Sequence, residues 1–341
     1  MAERIVLTHV NLASGFTASE RRMLLLIRAL SSSPLAQKLV VKKGSPLHAE
    51  ALEFGIHTIP LTWPWRSAVA GESDLVHAHG QASWRWAATS RRPYLASVDT
   101  PAITPSRSLL RSSCAVATTR SQVDQLHAVM AQLPVERIPP MYDDRASMPA
   151  DMQQSISARL AGRFVFGLYS DYTSTSGVAD AIEAMRWLVT RNPKAHLLVV
   201  GAGKAASHLQ ARLRSLDAVT LLEHACVEAG WYELFDAYIS PARAAIDDNG
   251  LVQAMYAGLP IIATRVPAMY DFIQQGQSAI MLPSLDVRGL GESMQQLMQD
   301  NALALRLGST AQNHVKKFSP QLVSERAFRL YLSVASQPHH N

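Results

Sequence analysis

The sequence predicts an α/β protein made of two doubly wound domains. Three observations carry that prediction. Short apolar runs alternate with helix-forming stretches along nearly the whole chain. The alternation restarts after a proline-broken segment at Ile138-Pro139-Pro140. The chain is also long and apolar enough: 341 residues, 48% hydrophobic and 17% charged, provide for two cores.

In the first half, Ile5-Val6-Leu7 reads as a strand, followed by a polar loop over residues 11–18. Ser19 is the expected N-cap of a helix over residues 21–30, which Ser31-Ser32-Ser33-Pro34 ends. Further strands are expected at Leu39-Val40-Val41, at 56–61, at 74–79, at 94–98 and at 114–118. Helices are expected over 47–54, stopped by Gly55, and after Gly80 around Trp84 and Trp86. The interdomain linker is placed at 138–144, extending up to about Arg163.

The second half repeats the pattern. Strands are expected at 164–168, 196–200, 219–222, 237–240 and 258–264. Helices are expected at 178–190, after Lys204, around Trp231 to Phe235, through Met255, and from Phe318-Ser319-Pro320 to the end. Each half has a glycine-containing strand-to-helix turn, so the expected architecture is a pair of Rossmann-like domains facing a cleft. The expected boundaries are 1–145, 160–317 and a terminal helix over 318–341.

Composition narrows the function classes. It excludes a disordered or coiled-coil chain, and no apolar run reaches the roughly 18 residues of a membrane span. No signal peptide is read at the N-terminus. Two cysteines, Cys114 and Cys226, point to a reduced, cytoplasmic setting. Residues 1–150 carry 16 Lys/Arg and 11 Asp/Glu, hence +5, while residues 151–341 carry 16 and 16, hence zero. The excess either is incidental or faces something anionic, such as a membrane surface or a phosphorylated glycan. No Lys/Arg run supports nucleic-acid binding.

The most specific signal is Ser240-Pro241-Ala242-Arg243, then Gly250-Leu251-Val252-Gln253-Ala254-Met255-Tyr256-Ala257-Gly258-Leu259-Pro260-Ile261-Ile262-Ala263-Thr264. It resembles the nucleotide-sugar motif of family 4 glycosyltransferases. Asp74 to Gly80, Val116 to Ser121, Arg137-Ile138-Pro139, Gly177-Val178 with Ala181 to Ala184, and Val199 to Gly203 resemble further segments of the same family, so the likeness covers almost the whole chain. The resemblance implies the GT-B fold, a terminal helix crossing back to the first domain, and transfer of a sugar from a nucleotide donor with retention. It implies no tightly bound metal and no cofactor beyond the nucleotide-sugar co-substrate. The acceptor would be a glycan or a lipid-linked glycan in polysaccharide or lipopolysaccharide synthesis.

The chain departs from the family at three places. The two motif glutamates, eight positions apart, fall on Ala245 and Gln253. Asp247, Asp248 and Asn249 stand as substitutes, or as a solvated turn. The cations on the donor diphosphate fall near Leu168 to Tyr169 and at Ser176, so the expected donor-side groups become Ser176, Gly177, Lys204 and Arg243, with backbone N–H groups at the helix start. Asp99 stands where the family often has a histidine and is read either as a residue acting on the acceptor hydroxyl or as a turn cap.

Asp99 and Asp248 are thus the candidate catalytic residues. Donor candidates are Gly15, Ser176, Gly177, Gly201, Gly203, Lys204, Arg243, Asn249, Gly250, Leu251 and Gln253. Gly15 is included because a Cβ would block close approach of the backbone to phosphate. Phe16, Thr17, His77 and His79 are the acceptor-side candidates. His77 and His79 share a strand face, which with Asp74 suggests a metal site only weakly. Glu20 and Arg21 are either acceptor contacts or solvated helix residues. The tryptophans beside arginines fit core packing, sugar stacking or a membrane interface. An alternative function is a degenerate GT-B protein that binds a partner without transferring sugar.

Overall fold

The computed structural model describes residues 5–61, 72–99, 103–145, 148–170, 175–201, 216–223, 229–244 and 248–336. The chain divides into two compact units, Met1–Met141 with Phe318–Asn341, and Tyr142–Lys317. Gly203, Lys204, Ala245, Asp247, Trp63, Trp65 and Cys226 lie outside the described residues.

The first unit is a seven-stranded sheet in the order β3-β2-β1-β4-β5-β6-β7. Its strands are β1 (Ile5–Asn11), β2 (Leu35–Lys42), β3 (Thr58–Leu61), β4 (Leu75–His79), β5 (Tyr94–Ser97), β6 (Cys114–Ala117) and β7 (Val135–Arg137). Every pairing is parallel. Parallel strands are buried on both faces, which explains why they read as continuous apolar runs. Alternation along β1 and β4 sends Val10, Val76 and Ala78 to one core with Trp84 and Trp86. It sends Leu7 and Leu75 to the other, with Leu25, Leu26 and Tyr331. The tryptophans Trp84 and Trp86 are therefore core residues, and Trp84 Nε1 donates to the Ser97 carbonyl at 3.0 Å.

The helices of this unit are α1 (Ala18–Ala29), α2 (Pro46–Glu53), α3 (Gln81–Ala87), α4 (Arg107–Leu110) and α5 (Arg120–Val129). The cap of α1 is Thr17, not Ser19. Thr17 has a glutamate three residues on, Glu20, and the two close a capping box. Ser19 has no such partner in register.

The second unit is a six-stranded parallel sheet in the order β10-β9-β8-β11-β12-β13. Its strands are β8 (Phe164–Ser170), β9 (Ala195–Gly201), β10 (Val219–Glu223), β11 (Ala237–Ser240), β12 (Ile261–Thr264) and β13 (Ile280–Leu282). Its helices are α6 (Ala150–Leu160), α7 (Val178–Val189), α8 (Asp248–Tyr256), α9 (Val287–Gln299) and α10 (Asn301–His314). The linker expected to extend to Arg163 instead contains α6. Only Leu160 of that helix is buried, so its amphipathic signal is weak. The expected helix at Trp231 is a 3-10 segment, Ala229–Leu234.

The last helix, α11 (Pro320–Ala335), packs on α1 and β4 of the first unit. Ser319 caps it and Pro320 occupies its first turn, as the Phe318-Ser319-Pro320 signal predicts. Among the described residues no helix is long and apolar enough to cross a membrane.

Candidate functional site

An all-parallel sheet ends all its strands on one side, and ligands of such sheets bind where strand order reverses. The reversal lies between β8 and β11 in the second unit and between β1 and β4 in the first.

In the second unit the turn after β8 reaches Thr175, Ser176 and Gly177, and Gly177 starts α7 at φ 75°. A Cβ at Gly177 would lie 2.0 Å from the Pro241 carbonyl oxygen, so this position requires glycine for both conformation and space. The loops after β8 and β11 therefore meet backbone to backbone, and Arg243 N donates to the Thr175 carbonyl at 2.8 Å. The Thr264 hydroxyl donates to the Ala242 carbonyl and fixes the same loop from β12. Glycine at the cap offers no side-chain acceptor to the first turn of α7. That helix end, with its positive dipole, favours an anion.

Arg243 is at this turn as expected, but its guanidinium is already engaged. Nε donates to Asp180 Oδ2 at 2.9 Å and Nη2 to Oδ1 at 2.6 Å, a bidentate pair. Hydrogen bonding to Asp180 raises the Arg243 pKa above its ordinary value. Half-exposed Arg243 faces solvent while Asp180 is more covered, at 36% and 13% exposure. Arg243 thus carries its own counterion.

Gln253 has a different partner from the one expected. It is buried, its Oε1 accepts from Asp143 N at 2.8 Å, and its Nε2 donates to Asp143 O at 3.1 Å. Both ends of the amide hold the backbone where this unit begins. A carboxylate could accept the first bond but could not donate the second. Leu251 is fully buried in the core, so only its backbone is available to a ligand. Asp248, Asn249 and Gly250 form the first turn of α8, and Gly201 ends β9 as a buried residue.

In the first unit the turn after β1 is braced by its own side chains. Glu20 accepts from Asn11 Nδ2 at 3.2 Å and from the Thr17 hydroxyl and amide at 2.6 and 2.9 Å. Thr17 and Glu20 are thus cap residues, and Phe16 packs against the core of α1, β2 and α2. Nothing lies within 4 Å of a Cβ built on Gly15, so no close approach of protein atoms requires glycine there.

His77 and His79 share the face turned to α1 and α11, and they are joined by His9 of β1, which the sequence reading missed. Strand register places His9 opposite His77, and the parity of Leu7 and Leu75 puts all three imidazoles on one face. His9 Nδ1 lies 3.3 Å from His79 Nε2. His77 Nδ1 lies 2.8 Å from the Tyr331 hydroxyl, and its Nε2 lies 2.8 Å from the Ser97 hydroxyl. Burial, then the neighbouring imidazoles, holds His77 and His79 well below the usual histidine range. Burial holds His9 down at about 4. The ring nitrogens of the three lie within 4.8 Å of one another. An ion there would have to displace Tyr331 or Ser97 from His77, so the cluster is read as a hydrogen-bonded one. Asp74 takes no part, since it accepts from Val6 N at 2.8 Å.

Asp99 lies beside this cluster in a small pocket with His79, Ser97, Thr118 and Arg22. Its Oδ1 accepts from Arg22 Nη2 at 2.5 Å. Arg22 was not anticipated, although its position three residues after Ser19 on α1 orients it: Nη2 also reaches the Ser19 hydroxyl at 3.3 Å. The carboxylate expected to act on an acceptor hydroxyl is therefore held by a guanidinium.

Residues 163–300 match the family described as Glycosyl transferases group 1. The fold is GT-B. A glycosyltransferase of Rickettsia africae superimposes with a TM-score of 0.79 at 15% identity, covering 98% of this chain and 100% of that one. Anabaena HepE, solved in complex with UDP-glucose, superimposes with a TM-score of 0.82 at 15% identity, covering 96% and 100%. In sequence, the capsular polysaccharide biosynthesis glycosyltransferase of Staphylococcus aureus is 20% identical over 185 residues, 53% of this chain and 49% of that protein. A lipopolysaccharide core biosynthesis glycosyltransferase of Rhizobium meliloti is 24% identical over 205 residues, 57% and 54%. The chain spans about half the length of the curated relatives it matches.

Proposed function

We propose that the protein is a glycosyltransferase that moves a sugar, with retention, from a nucleotide-sugar donor to a glycan or lipid-linked acceptor in cell-surface polysaccharide or lipopolysaccharide synthesis. The observation that carries the reading is the Gly177 turn: a helix N-terminus at the strand-order reversal, pressed against Pro241 and beside Arg243, inside the segment that matches the family. Donor-side groups are the first-turn N–H groups of α7, the Ser176 hydroxyl, Arg243, Gly201 and the first turn of α8. Gly203 and Lys204 keep their place in the proposal by sequence order alone.

In this reaction the bond between the anomeric carbon and the diphosphate oxygen breaks. The bond to the acceptor oxygen forms, and the acceptor proton passes to the departing diphosphate. Stabilising the negative charge on that leaving group is the main task. Asp180 would release Arg243 to the diphosphate only in part, so the helix dipole and backbone donors carry more of the load. The pocket of Asp99, His79 and Arg22 is proposed for the acceptor. The names of the capsule and lipopolysaccharide enzymes support the setting, and the basic first half supports contact with anionic membrane surface. Cosedimentation with anionic vesicles that is equally absent at low and high salt would remove the membrane contact.

Thermal shift and sugar-release assays with a panel of nucleotide sugars test the reading. One donor should raise the melting temperature and be hydrolysed or transferred, and Arg243→Ala should weaken it. No shift with any nucleotide would sink it. One observation favours the second reading, a binding protein without transfer: Gln253 and Arg243 are both engaged by protein partners. Donor binding without turnover on any acceptor would select it.

A further inference from the structure

The second unit has a cavity that the donor reading does not use. It lies where α6 meets the starts of β9 and β10, at the end of the sheet opposite Gly177 and Gly201. From His196 to Gly201 the strand runs about 16 Å at ordinary strand rise. The cavity measures about 130 Å³, enough for about four waters at the liquid's share of roughly 30 Å³ each. Its polar lining is Arg159, Arg163, His196, Asp217 and Thr220.

Two features of that lining are unbalanced. His196 is 4% exposed, and its Nε2 lies 3.0 Å from the Thr220 hydroxyl, while its Nδ1 is buried with no hydrogen-bond partner. A buried orphan nitrogen is uncommon and calls for a ligand or water. Arg159 and Arg163 are exposed, and among the described residues neither forms an ion pair. Their charge is nevertheless felt in the cavity: burial first, then Arg163 and Arg159, hold the His196 imidazole down at about 4. Two arginines and a histidine with an unpartnered ring nitrogen, all lining one small cavity, match the oxygens of a phosphate group. Asp217 adds one negative charge, so the lining nets +1, suited to a single phosphate and not to a polyanion.

We propose that this cavity binds one phosphate group, with Arg159 and Arg163 on its oxygens and His196 Nδ1–H as a third donor. Thr220 then donates its hydroxyl proton to Nε2, which fixes the tautomer. The group comes either as orthophosphate or as the monoester of a phosphorylated metabolite, and the site stands apart from the donor turn.

Calorimetry on the full chain, at matched ionic strength, with orthophosphate and with phenyl phosphate, tests the proposal alongside NMR of the His196 ring nitrogens. Saturable binding that moves the His196 Nδ1 resonance is expected. Arg159→Ala and Arg163→Ala should each weaken binding about tenfold or more, as for loss of a charge-assisted bond. Arg243→Ala should leave it unchanged. Tighter binding of phenyl phosphate supports a monoester, and tighter binding of orthophosphate supports the free ion. Phosphate binding that ignores both arginine substitutions, that vanishes in Arg243→Ala, or that leaves His196 unmoved overturns the proposal. So does the absence of saturable binding.

Discussion

The two sheets share a strand order and a place where that order reverses, yet the two reversals differ in chemistry. In the second unit the turn is made of backbone: Gly177 lies against the Pro241 carbonyl, Thr175 bonds the Arg243 amide, and the Arg243–Asp180 pair sits beside a helix end. In the first unit it is made of side chains: three buried neutral imidazoles, Tyr331, Ser97 and the Arg22–Asp99 pair. Topology sets where a ligand can bind. The residues that line the reversal decide whether it offers N–H groups to an anion or polar side chains to hydroxyls.

The two glycine caps, Gly177 of the second unit and Gly80 of the first, carry the largest expected difference. Gly177→Ala should cost about 3–5 kcal/mol, combining left-handed strain with overlap on the Pro241 carbonyl. Gly80→Ala, at φ 77° and ψ 161°, has open space around it but forces alanine into a backbone region that is essentially glycine's alone, and should cost about 1–3 kcal/mol. Urea unfolding of both variants checks this, and equal losses would show that Gly177 is not spatially required.

The histidine cluster predicts a pH effect of slightly smaller size. A histidine held at about 4 when folded and near 6.5 when unfolded leaves the unfolded state binding more protons across that window. Stability is complete above about pH 6.5 and falls as pH drops towards 4. At pH 5 the loss from His9 alone is roughly 2 kcal/mol at 1.36 kcal/mol per unit. His9→Gln should reduce that slope, and a urea midpoint no lower at pH 5 than at pH 7 would contradict it.

Gln253→Glu distinguishes the structural latch from a donor grip. It installs the glutamate of the resembling family, but it sets a carboxylate against the Asp143 carbonyl, and it should cost about 1–3 kcal/mol. An unchanged stability with tighter donor binding would return Gln253 to the donor side. The smallest effect is at the surface pair: Asp180→Asn frees Arg243 and should tighten a nucleoside diphosphate by about threefold, in line with the roughly 0–1 kcal/mol of an exposed pair.

The same contrast explains what the sequence made legible. The central strands were readable because parallel strands buried on both faces are plain apolar runs, as at 195–201 and 237–240. Three-residue strands such as β7 and β13 carry too little pattern. The Ser176–Gly177 turn was readable because a glycine between strand and helix announces its constraint locally. The partners of Arg243, Gln253 and His77 were not, because Asp180, Asp143 and Tyr331 lie 63, 110 and 254 positions away. Spacing arguments reach only one turn or one strand. Thr17 was within reach, since Thr-x-x-Glu is a local cap signature, and the choice of Ser19 overlooked it.

The backbone-built turn of the second unit is proposed to hold the diphosphate of a nucleotide sugar. Titration calorimetry of the full chain with a panel of nucleoside diphosphates tests it most directly, comparing the natural sequence with Arg243→Ala and Asp180→Asn. Saturable binding of at least one diphosphate, weakened by Arg243→Ala and strengthened by Asp180→Asn, is expected. Binding that neither substitution alters, or no binding of any diphosphate, would contradict it.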